Sequence, residues 1–98
     1  VQNAPIAGNS ISAPEVALRL GSANDDVRTA QLRLNRISAN YPSIPKIPEA
    51  NGLYGPDTEA AVREFQRINL LPTDGITDAR TWNRMARQYN DVLTDRRS

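Results

Sequence analysis

Paired carboxylates are the side chains of this 98-residue chain whose spacing best suits catalysis. Asp57 and Glu59 are two positions apart, and Asp25 and Asp26 are adjacent. Two neighbouring carboxyl groups can act as the acid and the base, or the acid and the nucleophile, of glycoside hydrolysis. Both pairs, however, stand where a helix is expected to start, and acids there stabilise the helix dipole. The pairs therefore favour a structural role, and we expect no catalytic residue.

The residue types that the chain lacks narrow the chemistry further. The sequence contains no cysteine and no histidine, which excludes thiol nucleophiles, Ser-His-Asp triads and Cys/His metal sites. We therefore expect neither a metal nor another cofactor. The net charge is +1 and arginines alternate with acids, so the composition does not indicate a nucleic-acid partner. No apolar run approaches the roughly 20 residues of a membrane span.

Two related segments are expected to position any site. "NGLYGPDT" at 51–58 and "DGITDART" at 74–81 superpose when one is shifted by 23 residues. Each opens with an Asx-Gly turn, because glycine accepts positive φ and the Asx side chain bonds nearby N–H groups. An apolar residue should then anchor the turn in the core, and Gly55 or Asp78 should cap the next helix. We call these segments the first and second cassette and expect both to be structural.

Three amphipathic helices should flank the cassettes. The first starts near Asn24 and ends before the proline-rich loop at 41–50, because proline disrupts a regular helix. The second starts at Pro56, a residue type that suits the first helical position, and the third starts at about Ala79. The apolar stripes at helical spacing are Val27, Ala30, Leu34, Ile37 and Tyr41, then Thr58, Ala61, Val62, Phe65 and Ile68, then Trp82, Met85, Ala86, Tyr89 and Leu93.

Apolar residues outside these stripes should also pack inward. Val16, Leu18 and Leu20 alternate like a short strand, and Leu32 lies off its helix stripe, where it could cover this segment. The others are Ile44 and Ile47 in the proline-rich loop and Leu53 and Ile76 in the cassettes. The chain is long enough for one domain with one core.

A glutamine stands at the same place in two of the helices. "VRTAQLRLN" at 27–35 matches "VREFQRINL" at 62–70, which aligns Gln31 with Gln66 at the edge of each stripe. These amides could donate to a ligand, but hydrogen bonds that cap the loops are favoured, because a half-buried amide needs partners. Trp82 could likewise stack on a sugar, although burial with the rest of its apolar face is favoured.

The ordered set of these residues resembles the peptidoglycan-binding domain family, the small three-helix modules of bacterial wall hydrolases. The resemblance covers about residues 18 to 86. The matching residues are Leu20, Gly21, Val27, Gln31, Leu34, Asn51, Gly52, Tyr54, Gly55, Thr58, Ala61, Val62, Phe65, Gln66, Asp74, Gly75, Ile76, Thr81, Trp82 and Met85. The resemblance implies an all-α fold, a small three-helix bundle with an extended N-terminal segment and a proline-rich loop after the first helix.

The resemblance also implies a role. That role is non-catalytic binding of bacterial peptidoglycan, which would target an attached protein or catalytic domain to the cell wall or the spore envelope, outside the cell. The alternative is a protein-interaction or propeptide-like regulatory module that docks on a partner or on a catalytic domain of the same chain. We expect a monomeric accessory module of a larger protein and not an enzyme.

The composition of the chain ends suggests how the domain is bounded. "VQNAPIAGNSISAP" has the Asn, Ser, Gly and Pro bias of a linker, and the chain has no initiator methionine. We therefore predict a linker at 1–14, a peptidoglycan-binding-like domain at 15–93 and a tail at 94–98. We also expect this domain to belong to a longer protein.

The candidate ligand site is the concave surface where the two cassettes and the proline-rich loop should meet. Polymer-binding sites are usually concave, with a few polar groups beside apolar walls. Asn51, Tyr54, Gln66 and Asp74 are the candidate ligand-binding residues, because each would present polar atoms beside apolar rings. The outward arginines of the second and third helices could instead grip carboxylates of stem peptides, although a solvated face explains them at least as well.

Overall fold

The computed structural model describes residues 12–94, which form three helices and no extended sheet. The helices are α1 at Asp25–Ser38, α2 at Pro56–Ile68 and α3 at Ala79–Thr94. All three predicted helix starts, and the predicted all-α class, are confirmed.

The predicted chain boundaries fall at the edges of this described part. Of the predicted linker at 1–14, residues 1–11 lie outside the described residues, and so do residues 95–98 of the predicted tail. The boundaries of the linker, the domain and the tail stay predictions.

Each helix begins after a residue whose chemistry decides how the helix start is capped. Asn24 precedes α1, and its side chain accepts a hydrogen bond from the N–H of Val27 at 2.9 Å. Asp78 precedes α3, and its Oδ1 accepts a hydrogen bond from the N–H of Thr81 at 3.0 Å. Gly55 precedes α2, and because glycine has no side chain, this helix start has no side-chain cap.

The core is built mainly from the predicted apolar stripes. α1 packs against both α2 and α3. The largest apolar side chains that are fully buried are Trp82, Tyr54, Phe65, Leu34 and Ile37. Each large apolar side chain removed from water stabilises the fold by roughly 1.5–3 kcal/mol, so these residues dominate the packing energy.

The last residue of the predicted stripe is exposed in the first helix and in the third. α1 ends at Ser38, so Tyr41 no longer continues the helical stripe and is 39% exposed. In α3 the buried face continues from Tyr89 to Val92, which is 6% exposed, while Leu93 is 52% exposed. One further residue turns the helix by about 100°, which is enough to carry Leu93 out of the core.

The segment at 16–20 pairs with the second cassette at Leu18 and does not form a strand. Leu18 is buried, its N–H donates to the carbonyl of Thr77 at 3.0 Å, and it accepts the N–H of Thr77 at 2.8 Å. Val16 and Leu20 are 76% and 53% exposed, so the predicted inward alternation is wrong at both residues. Leu32 is also exposed, which is contrary to its predicted role as a cover. A single isolated bridge imposes no alternation on its neighbours.

The proline-rich loop at 41–50 is fixed to α1, as the inward packing of its two isoleucines predicts. Ile44 and Ile47 are each 2% exposed. The side chain of Asn35 holds the backbone of Ile47 in both directions: its Nδ2 donates to the carbonyl at 3.0 Å, and its Oδ1 accepts the N–H at 2.7 Å. The loop therefore has a defined position although it contains no regular secondary structure.

The end of α2 contains an unusual backbone conformation. Leu70 has a φ of +59° and its side chain is 92% exposed. The N–H of Leu70 donates to the carbonyl of Arg67 at 3.2 Å, and the N–H of Leu71 donates to the carbonyl of Gln66 at 2.9 Å. This is the Schellman pattern that ends many helices, with leucine at the position that glycine usually occupies.

Candidate functional site

The first cassette is held in place by Gln31 of α1, whose side chain is fully buried. Its Oε1 accepts the N–H of Gly52 at 2.8 Å. Its Nε2 donates to the carbonyl of Leu53 at 2.8 Å and to Oγ1 of Thr58 at 2.9 Å. One amide therefore satisfies three groups of the cassette.

The second cassette is held by Gln66 of α2 through the same set of contacts. Its Oε1 accepts the N–H of Gly75 at 2.9 Å. Its Nε2 lies 2.9 Å from the carbonyl oxygen of Ile76 and 3.1 Å from Oγ1 of Thr81. A further contact of 3.0 Å joins Nε2 to Oδ1 of Asp74. The prediction that the two glutamines cap loops is confirmed at both sites.

The turns themselves also agree with the predicted chemistry. Gly52 and Gly75 have φ values of +86° and +75°. The side chain of Asn51 accepts the N–H of Leu53 at 3.0 Å, and the side chain of Asp74 accepts the N–H of Ile76 at 2.9 Å. This last hydrogen bond is the main reason why the pKa of Asp74 lies below its usual value.

Tyr54, and not Leu53, anchors the first cassette in the core. Leu53 is 58% exposed, so its predicted anchoring role is wrong, whereas Tyr54 is 2% exposed. The backbone of Tyr54 exchanges hydrogen bonds of 2.9 Å with the N–H of Gly21 and the carbonyl of Ser22. Together with the hydrogen bond from the N–H of Asn24 to the carbonyl of Gly52, these bonds hold 52–54 extended against 21–24. Consecutive side chains of an extended backbone point to opposite sides, so Tyr54 points inward and Leu53 points outward.

The hydroxyl of Tyr54 joins the two cassettes. It donates to the carbonyl of Gly75 at 2.7 Å and lies 3.0 Å from Oγ1 of Thr77. Burial raises the pKa of this phenol to about 12, since the charged form would lose its hydration. The hydroxyl therefore stays neutral and bonded within the fold.

A groove of about 380 Å³ lies where the proline-rich loop meets the first cassette and the first turn of α2. Its apolar lining residues are Ile47, Pro48, Leu53 and Pro56, and the rest are Glu49, Asn51, Gly55, Asp57 and Thr58. Among residues 12–94, no arginine or lysine lines this groove. The groove thus combines apolar walls with a few polar groups, as binding sites for organic ligands commonly do.

The four predicted site residues fall into two groups. Tyr54, Gln66 and Asp74 meet at Gly75, where their polar atoms bond one another or the second cassette. Asn51 lies apart from them and lines the groove. Tyr54 and Gln66 are 2% and 1% exposed, whereas Asn51 and Asp74 are exposed. Ligand contact by these four residues stays a prediction.

Sequence reasoning missed the acidic members of the groove, Glu49 and Asp57. The signal for Glu49 was its place at the end of the proline-rich loop, next to the first cassette. The position of Asp57 indicated a structural role instead, because an acid in the first turn of a helix is common for structural reasons alone.

Trp82 is fully buried, which excludes a sugar-stacking role and confirms the alternative of core packing. Arg33, which the sequence did not single out, covers it from α1. The guanidinium of Arg33 lies 5.2 Å from the ring centre of Trp82 and 5.7 Å from that of Tyr89. A cation over aromatic faces stabilises such packing, so this cluster ties α1 to α3.

The outward arginines of α2 and α3 bond groups on their own surface. Arg63 pairs with Glu59 at 3.8 Å and donates to the carbonyl of Thr73 at 3.0 Å. Arg84 donates to Oδ1 of Asn69 at 2.8 Å. These contacts favour the interpretation of the arginine face as an ordinary solvated surface.

Two other features concern metal binding and membrane insertion. Among residues 12–94, no group of three or more Asp, Glu, His or Cys side chains is placed to hold a metal ion. Within the same part of the chain, no helix has the length and apolar character needed to cross a membrane.

The fold and the groove together define a small helical binding module. Residues 23–85 match the family described as "Putative peptidoglycan binding domain". The match covers more than half of the chain, so the chain belongs to this family and is a peptidoglycan-binding module. The family predicted from the ordered motifs is confirmed.

Two curated relatives extend the match. The chain is 35% identical over 74 residues to the zinc D-Ala-D-Ala carboxypeptidase of Streptomyces albus G, a match that covers 76% of this chain and 28% of that protein. It is 32% identical over 84 residues to an uncharacterized protein of Kitasatospora aureofaciens, over 85% of this chain and 66% of that protein. The chain thus spans just over a quarter of the carboxypeptidase.

Two solved structures share the fold. The crystal structure of the SleB N-terminal domain superposes with a TM-score of 0.65 at 26% identity, over 78% of this chain and 96% of that one. A fused Zn-dependent amidase/peptidase/peptidoglycan-binding domain-containing protein from Clostridium acetobutylicum has a TM-score of 0.62 at 33% identity, over 71% of this chain and 28% of that one. The predicted three-helix architecture is therefore confirmed.

Proposed function

We propose that the groove beside the first cassette is the surface that binds peptidoglycan, and that the module binds without turning its ligand over. The observation that carries this proposal is the groove itself, in which apolar walls and polar side chains are open to solvent at one place. The second cassette offers no comparable polar set, because Gln66, Tyr54 and Thr81 bond within the fold. A weak site suffices on a polymer with many copies of its ligand, since rebinding raises the effective affinity.

The module would hold an attached catalytic domain at the cell wall or spore envelope. Two of the similar proteins are named as a carboxypeptidase and an amidase/peptidase, and this chain matches 28% of each. A wall hydrolase is therefore the attached domain that these similarities favour. Tethering would raise the concentration of such an enzyme at an insoluble substrate.

The four residues predicted for ligand contact have different roles in this proposal. Asn51 reaches the ligand directly, because it lines the groove and is exposed. The other three act at a distance: Tyr54 fixes the second cassette against the first, and Gln66 and Asp74 hold the turn of the second cassette. Substituting these three would therefore weaken binding only to the extent that the fold is disturbed.

A pull-down on purified peptidoglycan tests the groove. Leu53→Ser removes an apolar wall at a side chain that is already 58% exposed, so the fold should survive and binding should fall severalfold. Leu93→Ser is the matched control, since Leu93 is 52% exposed and lies outside the groove. Equal binding by both variants would contradict the proposed site, and a parent chain that fails to sediment with the wall would contradict the function.

The absence of turnover is tested separately. Incubation of the pure chain with labelled peptidoglycan should release no soluble product. Asp57 and Glu59 are the acids to substitute if any release is seen, because they stand beside the groove or in the same helical turn. Release that one such substitution abolishes would overturn the non-catalytic role.

A further inference from the structure

The charge of the groove restricts which part of peptidoglycan can enter it. Two carboxylates, those of Glu49 and Asp57, line the groove, and no cationic side chain of the described part of the chain does. The ion pairs found among residues 12–94 use other acids, Glu59 and Glu64. Oε1 of Glu49 accepts a hydrogen bond from Nδ2 of the neutral Asn51 at 3.4 Å, so neither groove carboxylate has its charge compensated by these ion pairs.

The start of α2 contributes positive charge to the groove, but less charge than the two carboxylates carry. A helix N-terminus carries roughly half a positive charge, and no side chain caps this one. Two full negative charges outweigh that partial charge, so the groove as a whole attracts cations. A free carboxylate of a stem peptide would meet like charges there and would be disfavoured.

The apolar walls of the groove indicate which chemical group of the ligand should lie next to its positive charge. Pro48, Leu53 and Pro56 present apolar surface between the acidic side chains, and Ile47 forms part of the same lining. A bare cation gains nothing from such walls, whereas an ammonium group on an aliphatic stem can bury its methylene groups and keep its charge at the acids. A neutral sugar uses the walls but not the acids.

We infer that the groove takes a free aliphatic amine of the peptide part of peptidoglycan, the side-chain amine of its diamino acid. This inference rests on the groove being the wall-binding surface. In a cross-linked stem the same amine is acylated and has lost its charge. The module therefore prefers wall regions that are sparsely cross-linked, where more of these amines are free.

Chemical acetylation of the wall tests this inference. Purified peptidoglycan is divided, and the free amines of one half are acetylated with acetic anhydride. Exposed ion pairs are weak, so loss of the charged amine should lower the affinity of the chain by roughly 3- to 10-fold. Binding should also become less sensitive to salt, because the screened component has been removed.

A double variant locates the effect in the groove. Glu49→Gln with Asp57→Asn should bind untreated wall as weakly as the parent binds acetylated wall, and acetylation should change its binding little. Glu15→Gln with Asp91→Asn removes two exposed acids outside the groove and should behave like the parent. Glu49→Gln alone leaves the start of α2 intact. It should lose less affinity than the double variant, and any loss it shows comes from the removed charge and not from a disturbed helix.

The outcomes separate this inference from the proposed function. If native and acetylated walls are bound equally, the amine inference is wrong although peptidoglycan binding stands. If acetylation weakens the binding of the double variant as much as that of the parent, the amine binds to another surface of the protein and its assignment to the groove is wrong. If neither wall is bound, the proposed function itself fails.

Discussion

The two cassettes contain the same turn and the same glutamine contacts, but the surface at the start of the following helix differs between them. In the first, Gln31 reaches from α1, and Gly55 leaves the following helix without a side-chain cap beside an open groove. In the second, Gln66 reaches from α2, and the carboxylate of Asp78 caps the following helix at 3.0 Å. The shared part stabilises the fold, and the part that differs is where we place the function.

Loss of either glutamine should cause the largest effect. Gln31→Ala and Gln66→Ala each leave a buried glycine N–H, a backbone carbonyl and a threonine hydroxyl without their partner. Unsatisfied buried polar groups cost about 1–3 kcal/mol each, and partial relaxation should limit the loss to about 2–4 kcal/mol per variant. Urea denaturation measures it. If one variant loses far less than the other, the two cassettes are not energetically equivalent.

Replacement of the turn glycines should have the next largest effect. Gly52→Ala and Gly75→Ala put a Cβ on a backbone with positive φ, and the new atom lies 3.1 Å from the Asn24 carbonyl oxygen or 2.8 Å from Cγ of Glu59. We expect each to lose about 1–2 kcal/mol in free energy of unfolding. Gly55→Ala is the control. Its new Cβ would have no heavy atom within 4 Å, and the backbone φ of −101° is one that alanine adopts without strain. A control variant as unstable as the other two would contradict this account of the turns.

The missing cap of the first cassette can be supplied. Gly55→Asp reproduces the cap that Asp78 gives to α3, at a position where space is open. We expect a gain of a few tenths to about 1 kcal/mol, seen as a higher Tm. Gly55→Asn offers the same oxygen without the charge and separates capping from the dipole interaction. A drop in Tm for both variants would show that the start of α2 is not a simple uncapped helix end.

The first residue of each cassette is Asn51 or Asp74, and this difference in charge should have the smallest effect on stability. The pKa of Asp74 is lowered, so its contribution to stability is present above the usual aspartate pKa of about 3.9 and is lost as the pH falls through the lower, folded value. Asp74→Asn copies Asn51 of the first cassette and keeps an acceptor at every pH. We expect near-parent stability at pH 7, within about 0.5 kcal/mol because the residue is exposed, and a smaller loss than the parent below pH 4. Thermal melts at both pH values measure this, and parallel acid profiles would contradict it.

Much of the helical framework followed from local chemistry. Proline at position 56, and Asn24 and Asp78 before helix starts, are signals that act within a few residues. The glutamine contacts were predictable because the sequence repeats, so Gln31 and Gln66 needed one explanation for both. These features depend little on distant parts of the chain.

The remaining features depend on contacts between distant segments. Tyr54 points inward because residues 21 and 22 pair with its backbone, and only the family resemblance, not a local pattern, distinguishes it from Leu53. The groove exists because Asn35 fixes Ile47, which places an aperiodic loop beside the first cassette. Leu70 is a local exception: its positive φ belongs to the Schellman pattern of residues 66–71, and leucine is not the residue type that predicts this conformation.

The central claim is that the first cassette carries the ligand surface and the second does not. Titration of the 15N-labelled chain with soluble wall fragments, followed by amide chemical shifts, tests it residue by residue. We predict that the shifts concentrate at 47–49 and 51–58, with little change at 74–81. Shifts centred on the second cassette, or on Arg63 and Arg84 of the outer face, would contradict the claim.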